Sequence, residues 1–114
     1  MRVHFIAIGG AAMHNLALDL LASGWEVTGS DDEIYEPALS RLIDAGISPE
    51  NFGWFEEKIT TDIDVVILGM HAKKENPELA KALDLDLKVV SYPEFIVSQS
   101  INKQRIVIAG SHGK

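Results

Sequence analysis

The last five residues of this 114-residue chain follow an apolar run from Ile106 to Ala109 and have the composition of a phosphate-binding loop. In such a loop, backbone N–H groups surround the phosphates of a nucleotide, a lysine lies on the terminal phosphates and a hydroxyl residue holds Mg²⁺. Lys114 supplies the lysine, whereas we expect the hydroxyl residue and its helix further along a longer, ATP-using protein. Because Ile108 stands where G-x-x-x-x-G-K has its first glycine, a polar tail after a strand is the alternative. The residues of this candidate ATP-binding loop are Gly110, Ser111, His112, Gly113 and Lys114.

A second candidate phosphate site is the turn that follows an apolar run at residues 3–8. Glycines between a strand and a helix let backbone N–H groups approach a phosphate at the positive end of the helix. Only one glycine of G-x-G-x-x-G is present, at Gly9, because Ala7 and Ala12 occupy the other two positions. A tight turn without a ligand is the alternative, with His14 packing between helices. The candidate residues here are Gly9, Gly10, Ala11, Ala12, Met13 and His14.

Polar side chains also follow the next two predicted strands. Asp31 comes 22 positions after Gly9, a spacing at which an acid accepts hydrogen bonds from a ribose, and Ser30 is an equal candidate. His71 follows the strand at residues 64–68. Because ligands of open parallel sheets bind outside the carboxyl ends of the strands, we expect Gly9, Asp31 and His71 to lie at one edge. A solvated loop acid and a partly exposed loop histidine are the alternatives.

These sites are carried by strands and helices that alternate along the chain, which is typical of parallel β-α units. The expected fold is therefore α/β, a Rossmann-like open parallel sheet of about five strands with helices on both faces. Polar residues 102–104 indicate a junction, so we expect one domain over residues 1–101 and the start of a second over 102–114. The predicted strands are 3–8, 25–29, 64–68 and 87–91, with an ambiguous stretch at 47–52; the predicted helices are 12–22, 36–45, 76–83 and 93–98.

The composition excludes several classes of function. With a formal net charge of −7, the chain lacks the basic surface that binds the nucleic-acid backbone. The absence of cysteine excludes disulfides and thiolate metal sites, and the four histidines lack metal-ligand spacing, so no metal site is predicted in this domain. No apolar run approaches the roughly 20 residues of a membrane span. We therefore expect a cytoplasmic domain that binds neither nucleic acid nor membrane.

Taken together, the motifs resemble the Mur ligase family, the ATP-dependent amide-forming enzymes of peptidoglycan synthesis. Within it, residues 31–37 are more similar to the branch that attaches a recycled tripeptide than to the alanine-adding branch. Two features depart from the alanine-adding pattern: alanine stands at positions 7 and 12, where those enzymes usually carry glycine, and residues 70–72 replace a serine-alanine-isoleucine loop. The resemblance rests on residues 4–13, 29–31, 76–78 and 110–114, which occur in the family's order.

The resemblance implies that this domain binds the UDP end of UDP-N-acetylmuramate. A central domain would bind ATP and Mg²⁺, with Lys114 as a catalytic residue on the transferring phosphoryl group. A third domain would bring the amino acid or peptide whose amine displaces phosphate from the muramoyl acyl phosphate. The isolated fragment is then expected to be inactive. Two other interpretations remain: an NAD(P)-binding Rossmann domain of an oxidoreductase or redox sensor, and a UDP-sugar-binding module without an enzyme.

Overall fold

The computed structural model describes residues 1–69 and 72–99 of the chain. Every predicted helix and strand within these ranges is confirmed, with ends that shift by at most two residues. The predicted junction at 102–104 and the strand at 105–109 lie outside the described residues. The elements are β1 (Arg2–Ile6), α1 (Ala11–Ala22), β2 (Glu26–Ser30), α2 (Ala38–Ala45), a 3-10 turn (Glu56–Lys58), β3 (Val65–Leu68), α3 (Pro77–Asp84), β4 (Val89–Ser91) and a helical segment over residues 92–99.

The four strands form one parallel sheet in the order β2-β1-β3-β4. The expected Rossmann-like class is confirmed, but the described sheet has four strands rather than about five. Residues 47–52 add no strand: only the next residue, Gly53, bridges Asp31 beyond the end of β2, through its N–H at 2.8 Å from the Asp31 carbonyl. β2 lies on one side of β1 in the sheet, and β3 lies on the other side. The strand order therefore reverses at β1, where ligands bind in open α/β sheets.

Successive side chains of each strand pack on opposite faces of the sheet, as expected of the two-residue strand period. From β1, Val3 and Phe5 join a core cluster with α1, α2 and Phe95 of the helical segment. Ile6 joins a second cluster on the other face, with residues of α3. The predicted helices on both faces are thereby confirmed. No helix within residues 1–69 and 72–99 has both the length and the apolarity that crossing a membrane requires.

The ends of two helices follow the local signals in the sequence. Asn76 caps α3, because its side-chain oxygen accepts hydrogen bonds from the N–H groups of Glu78 and Leu79 at 2.8 and 3.3 Å. Gly46 ends α2 with a left-handed φ of 79°, a conformation that glycine adopts without steric cost. These caps fix where α3 begins and where α2 ends.

Ala7 adopts a left-handed backbone conformation in the turn after β1, with φ of 76°. A side chain at such an angle crowds the following carbonyl, and glycine relieves this strain at the expense of more freedom in the unfolded chain. We expect Ala7→Gly to raise the free energy of unfolding in urea by about 0.5–1 kcal/mol. Ala12→Gly is the matched control: the same change within α1 should lower stability by about 0.5–1 kcal/mol. A loss of stability at position 7 equal to that at position 12 would contradict the strain.

Candidate functional site

The turn between β1 and α1 is held to the end of β2 by backbone hydrogen bonds. The N–H groups of Ala7 and Ile8 both donate to the carbonyl oxygen of Ser30, at 2.8 and 3.0 Å. Beneath the turn, Gly29 leaves room for Ile8, since a Cβ at position 29 would lie 2.5 Å from the Ile8 Cδ1 atom. The turn is therefore fixed against the sheet before any ligand is present.

The structure brings Gly9 and Asp31 into direct contact. The Gly9 N–H donates to Asp31 Oδ2 at 2.8 Å, and the N–H of Asp32 donates to Oδ1 at 2.9 Å. The contact is close enough that a Cβ on Gly9 would lie 2.8 Å from that carboxylate oxygen and 2.9 Å from Ile34 Cγ1. Asp31 is thus a structural anchor for the glycine turn, and its remaining lone pairs can still accept a hydrogen bond from a ligand.

The environment of Asp31 is poorly solvated, with 8% of the residue exposed. Burial raises the pKa of the Asp31 carboxyl above its ordinary value, and the hydrogen bond from the Gly9 N–H opposes that shift only in part. Additional hydrogen-bond donors stabilise a buried carboxylate, because each hydrogen bond offsets part of the cost of desolvating the charge. The hydroxyl groups of a ribose are donors of this kind.

The N-terminus of α1 is open towards the same edge of the sheet. Gly10 occupies the N-cap position without a side-chain cap, and no acidic residue lies in the first turn. The first N–H groups of a helix have no partner within the helix and, with the helix dipole, favour an anion. Ala11 and Ala12 are exposed and small, whereas the side chain of Met13 is buried in the core below them. Phosphate can therefore approach this helix end without displacing a capping group.

His14 lies in the first turns of α1 and connects this helix to α2. The ring is buried, with Nδ1 at 3.1 Å from the carbonyl oxygen of Gly10 and Nε2 at 3.2 Å from Arg41 NH1. Because a carbonyl only accepts and a guanidinium only donates, the contacts assign the neutral tautomer with the proton on Nδ1. Both nitrogens of His14 are occupied within the protein, so its role at the site is to position its neighbours.

A buried polar cluster lies on the opposite face of the sheet. His4 and Glu78 are fully buried, with His4 Nε2 at 2.7 Å from Glu78 Oε1, and the Phe55 N–H donates to Glu78 Oε2 at 2.8 Å. Burial alone would raise the pKa of Glu78, but the donors from His4 and Phe55, with the Ser30 hydroxyl, outweigh it and hold that pKa below its ordinary value. Glu78 is therefore a carboxylate that joins α3 to β1 and to the turn before residues 56–58.

Ser30 belongs to this buried cluster rather than to the open edge. Its side chain is completely buried, and Lys58 Nζ lies 3.0 Å from the Ser30 hydroxyl and 3.1 Å from the Gly29 carbonyl oxygen. The two-residue strand period explains this orientation, because Ser30 and Asp31 face opposite sides. Of the two residues that the sequence offered for ribose contact, Asp31 is the one beside Gly9.

The polar cluster was not predicted from the sequence. His4 stands within an apolar run, whereas Glu78 carried no signal of burial beyond its place two residues after a capping asparagine. His71 and the loop at 110–114, including Lys114, lie outside the described residues, and their roles stay predictions. Among residues 1–69 and 72–99, no three histidines or acids are grouped as metal ligands.

Comparisons with known proteins agree with the fold. The family described as "Mur ligase family, catalytic domain" matches residues 2–103. UDP-N-acetylmuramate–L-alanine ligase of Carboxydothermus hydrogenoformans is 36% identical over 114 residues, covering 100% of this chain and 24% of the relative. Among solved structures, murein peptide ligase of Psychrobacter arcticus 273-4 has a TM-score of 0.76 at 34% identity, over 87% of this chain and 20% of that one.

A second solved structure comes from the alanine-adding branch. UDP-N-acetylmuramate–alanine ligase of Thermotoga maritima has a TM-score of 0.76 at 26% identity, over 91% of this chain and 23% of that one. The chain thus spans about a quarter of the length of the curated relatives it matches. Neither these relatives nor the structural neighbours support the oxidoreductase interpretation.

Proposed function

Because the chain belongs to the Mur ligase family, we propose that residues 1–101 form its N-terminal substrate domain and bind the UDP end of UDP-N-acetylmuramate. In the full-length protein, this domain would serve a ligase that joins the muramoyl carboxylate to L-alanine or a short peptide, with consumption of ATP, in peptidoglycan synthesis or recycling. Residues 102–114 would begin the central ATP-binding domain. The fragment alone would bind substrate without turning it over.

The observation that carries this proposal is the open N-terminus of α1 beside Asp31, at the point where the strand order reverses. A helix end with a glycine cap and free N–H groups suits the diphosphate of the nucleotide. A carboxylate next to it suits the ribose or the uracil, because it accepts hydrogen bonds from O–H or N–H groups. Both features lie side by side at one edge of the sheet.

Most of the predicted site residues have a distinct part in this proposal. Gly9 and Gly10 let the backbone approach the diphosphate, and the N–H groups of the first turn of α1 donate to it. Asp31 accepts from the nucleoside, while Ser30 holds the end of β2 through its buried side chain. His71, which follows β3 in the sequence, would be a further ligand contact. The small side chains of Ala11 and Ala12 keep the approach open.

ATP and Mg²⁺ are the cofactors that the family membership implies for the full-length protein. ATP would supply the phosphoryl group that activates the carboxylate, and Gly110–Lys114 would hold it, with Lys114 as the charged partner of the transferring group. The acceptor is either alanine or a tripeptide, since the relatives and neighbours named above include both kinds of ligase. Its binding residues would lie in other domains of the longer protein.

The proposal predicts a nucleotide specificity that the chain itself can reveal. We expect UDP-N-acetylmuramate and UDP to bind saturably, with amide NMR shifts concentrated at Gly9, Gly10 and Asp31, because these groups line the open edge. Uridine without phosphate should bind more weakly, since it cannot use the N-terminus of α1. Calorimetric and NMR titrations with these ligands and with NAD measure the difference. Binding of NAD together with indifference to uridine nucleotides would refute the proposed function.

A further inference from the structure

Arg41 on α2 is held beside the open end of α1 by an uncharged partner. Its NH1 group donates to His14 Nε2 at 3.2 Å, and His14 in turn bonds the carbonyl oxygen of the capping residue Gly10. One imidazole ring and two hydrogen bonds therefore separate the guanidinium from the helix cap. This chain of contacts ties a cation on α2 to the residue that caps α1.

The charge of Arg41 is not neutralised by this arrangement. The described part of the chain contains two ion pairs, Arg2–Asp62 and His4–Glu78, and neither includes Arg41. Arg41 is exposed, and its guanidinium carries four N–H groups besides the one that donates to His14. A carboxylate in the place of His14 would have held the same side chain but cancelled its charge. A neutral imidazole positions the guanidinium and leaves its attraction for an anion intact.

We propose that Arg41 binds the diphosphate of the nucleotide, as a charged donor that supplements the backbone N–H groups of α1. The inference rests on the proposed function and adds to it a residue outside the glycine turn. Guanidinium groups suit this task because their planar donors match phosphate oxygens in pairs. The cation is needed here because the chain has a net charge of −7, which repels a nucleotide diphosphate at long range. His14 is then a positioning residue that acts through Arg41.

The test compares two variants that remove the same charge. Arg41→Gln removes the proposed phosphate partner, whereas Arg2→Gln removes an arginine that is paired with Asp62 and begins β1, at the opposite end of the strand from Gly9. Each is titrated with UDP, UMP and uridine by calorimetry. We expect Arg41→Gln to weaken UDP binding about tenfold or more, the effect of losing a charged hydrogen bond, and to change uridine binding little. Arg2→Gln should change UDP binding by less than about twofold.

A second measurement needs no substitution. The Nε–H resonance of Arg41, followed by NMR in the wild-type chain, should shift on saturation with UDP and stay in place with uridine. Urea unfolding of Arg41→Gln checks that the variant is folded. If wild-type chain fails to bind UDP, the proposed function itself is refuted. If it binds UDP but the variant keeps full affinity, loses uridine and UDP affinity equally, or the Nε–H signal does not move, the role of Arg41 alone is overturned.

Discussion

Replacing Glu78 by glutamine should lower the free energy of unfolding by about 3 kcal/mol. Both oxygens of the carboxylate accept hydrogen bonds in a fully buried place, from His4 Nε2 and from the Phe55 N–H. A glutamine side chain presents one oxygen and one NH₂ group, so it cannot accept from both donors, and both contacts survive only if His4 Nε2 becomes the acceptor. The negative charge of Glu78 is also lost. Urea unfolding at neutral pH, with a slope that reports two-state behaviour, measures the change.

The pH dependence of this difference has a definite sign. Because the pKa of Glu78 is lowered from an ordinary value near 4.5, the carboxylate stabilises the fold above that value, and its contribution disappears as the pH falls through the lowered pKa. The difference in free energy of unfolding between wild type and Glu78→Gln should therefore become smaller at acid pH. The exposed Glu26 provides the control, since Glu26→Gln should change stability by less than about 0.5 kcal/mol. An equal, pH-independent effect at both positions would show that the buried hydrogen bonds are not what matters at Glu78.

Substituting alanine for Gly9 should both destabilise the fold and weaken UDP binding. The added methyl group would lie 2.8 Å from Asp31 Oδ2 and 2.9 Å from Ile34 Cγ1, so the turn and the carboxylate must separate. Overpacking of this kind costs about 1–3 kcal/mol. It also breaks the hydrogen bond that places Asp31 beside the helix end. We expect unfolding in urea to begin at a lower concentration, and the affinity for UDP to fall about tenfold or more.

The adjacent glycine is the matched control. A Cβ on Gly10 would find its nearest atom, Met13 Cγ, at 3.6 Å, an ordinary contact, and its backbone angles of −61° and 152° suit any residue. Gly10→Ala should therefore cost less than about 1 kcal/mol in stability, mainly through the weaker N-cap. If both substitutions were equally mild, the close packing of the turn against Asp31 and Ile34 would be wrong.

Much of the fold could be predicted from the sequence because its elements carry strong local signals. Helical spacing from Met13 to Leu21 and the apolar run from Val65 to Leu68 place α1 and β3 within a residue or two. Placing Gly9 and Asp31 at the carboxyl ends of neighbouring strands was enough to expect them at one edge, where they meet. The stretch at 47–52 was ambiguous because Pro49 interrupts a short run with apolar residues at its two ends, and the chain pairs with the end of β2 only at the next residue, Gly53.

The contacts of the buried polar cluster and of His14 depend on long-range packing that no local pattern encodes. Glu78 lies 74 positions from His4, and Arg41 lies 27 from His14, so each pair is brought together only when the sheet and helices assemble. The sequence alone does not distinguish a buried glutamate from one on the surface. The orientation of Ser30 was predictable in principle, since the strand period that turns Asp31 to one face turns Ser30 to the other.

The hydrogen bonds of the turn after β1 bear on how such sites diverge. Two consecutive backbone N–H groups, of Ala7 and Ile8, converge on the Ser30 carbonyl, and neither bond involves a side chain. Backbone hydrogen bonds thus hold the shape of the turn. The turn forms with alanine at position 7, although the φ of 76° there would suit glycine. Relatives can exchange glycine and alanine at such a position with a change of about 1 kcal/mol in stability and still present the same backbone N–H groups. A search that counts glycines in the sequence can therefore miss a turn whose backbone shape is the same.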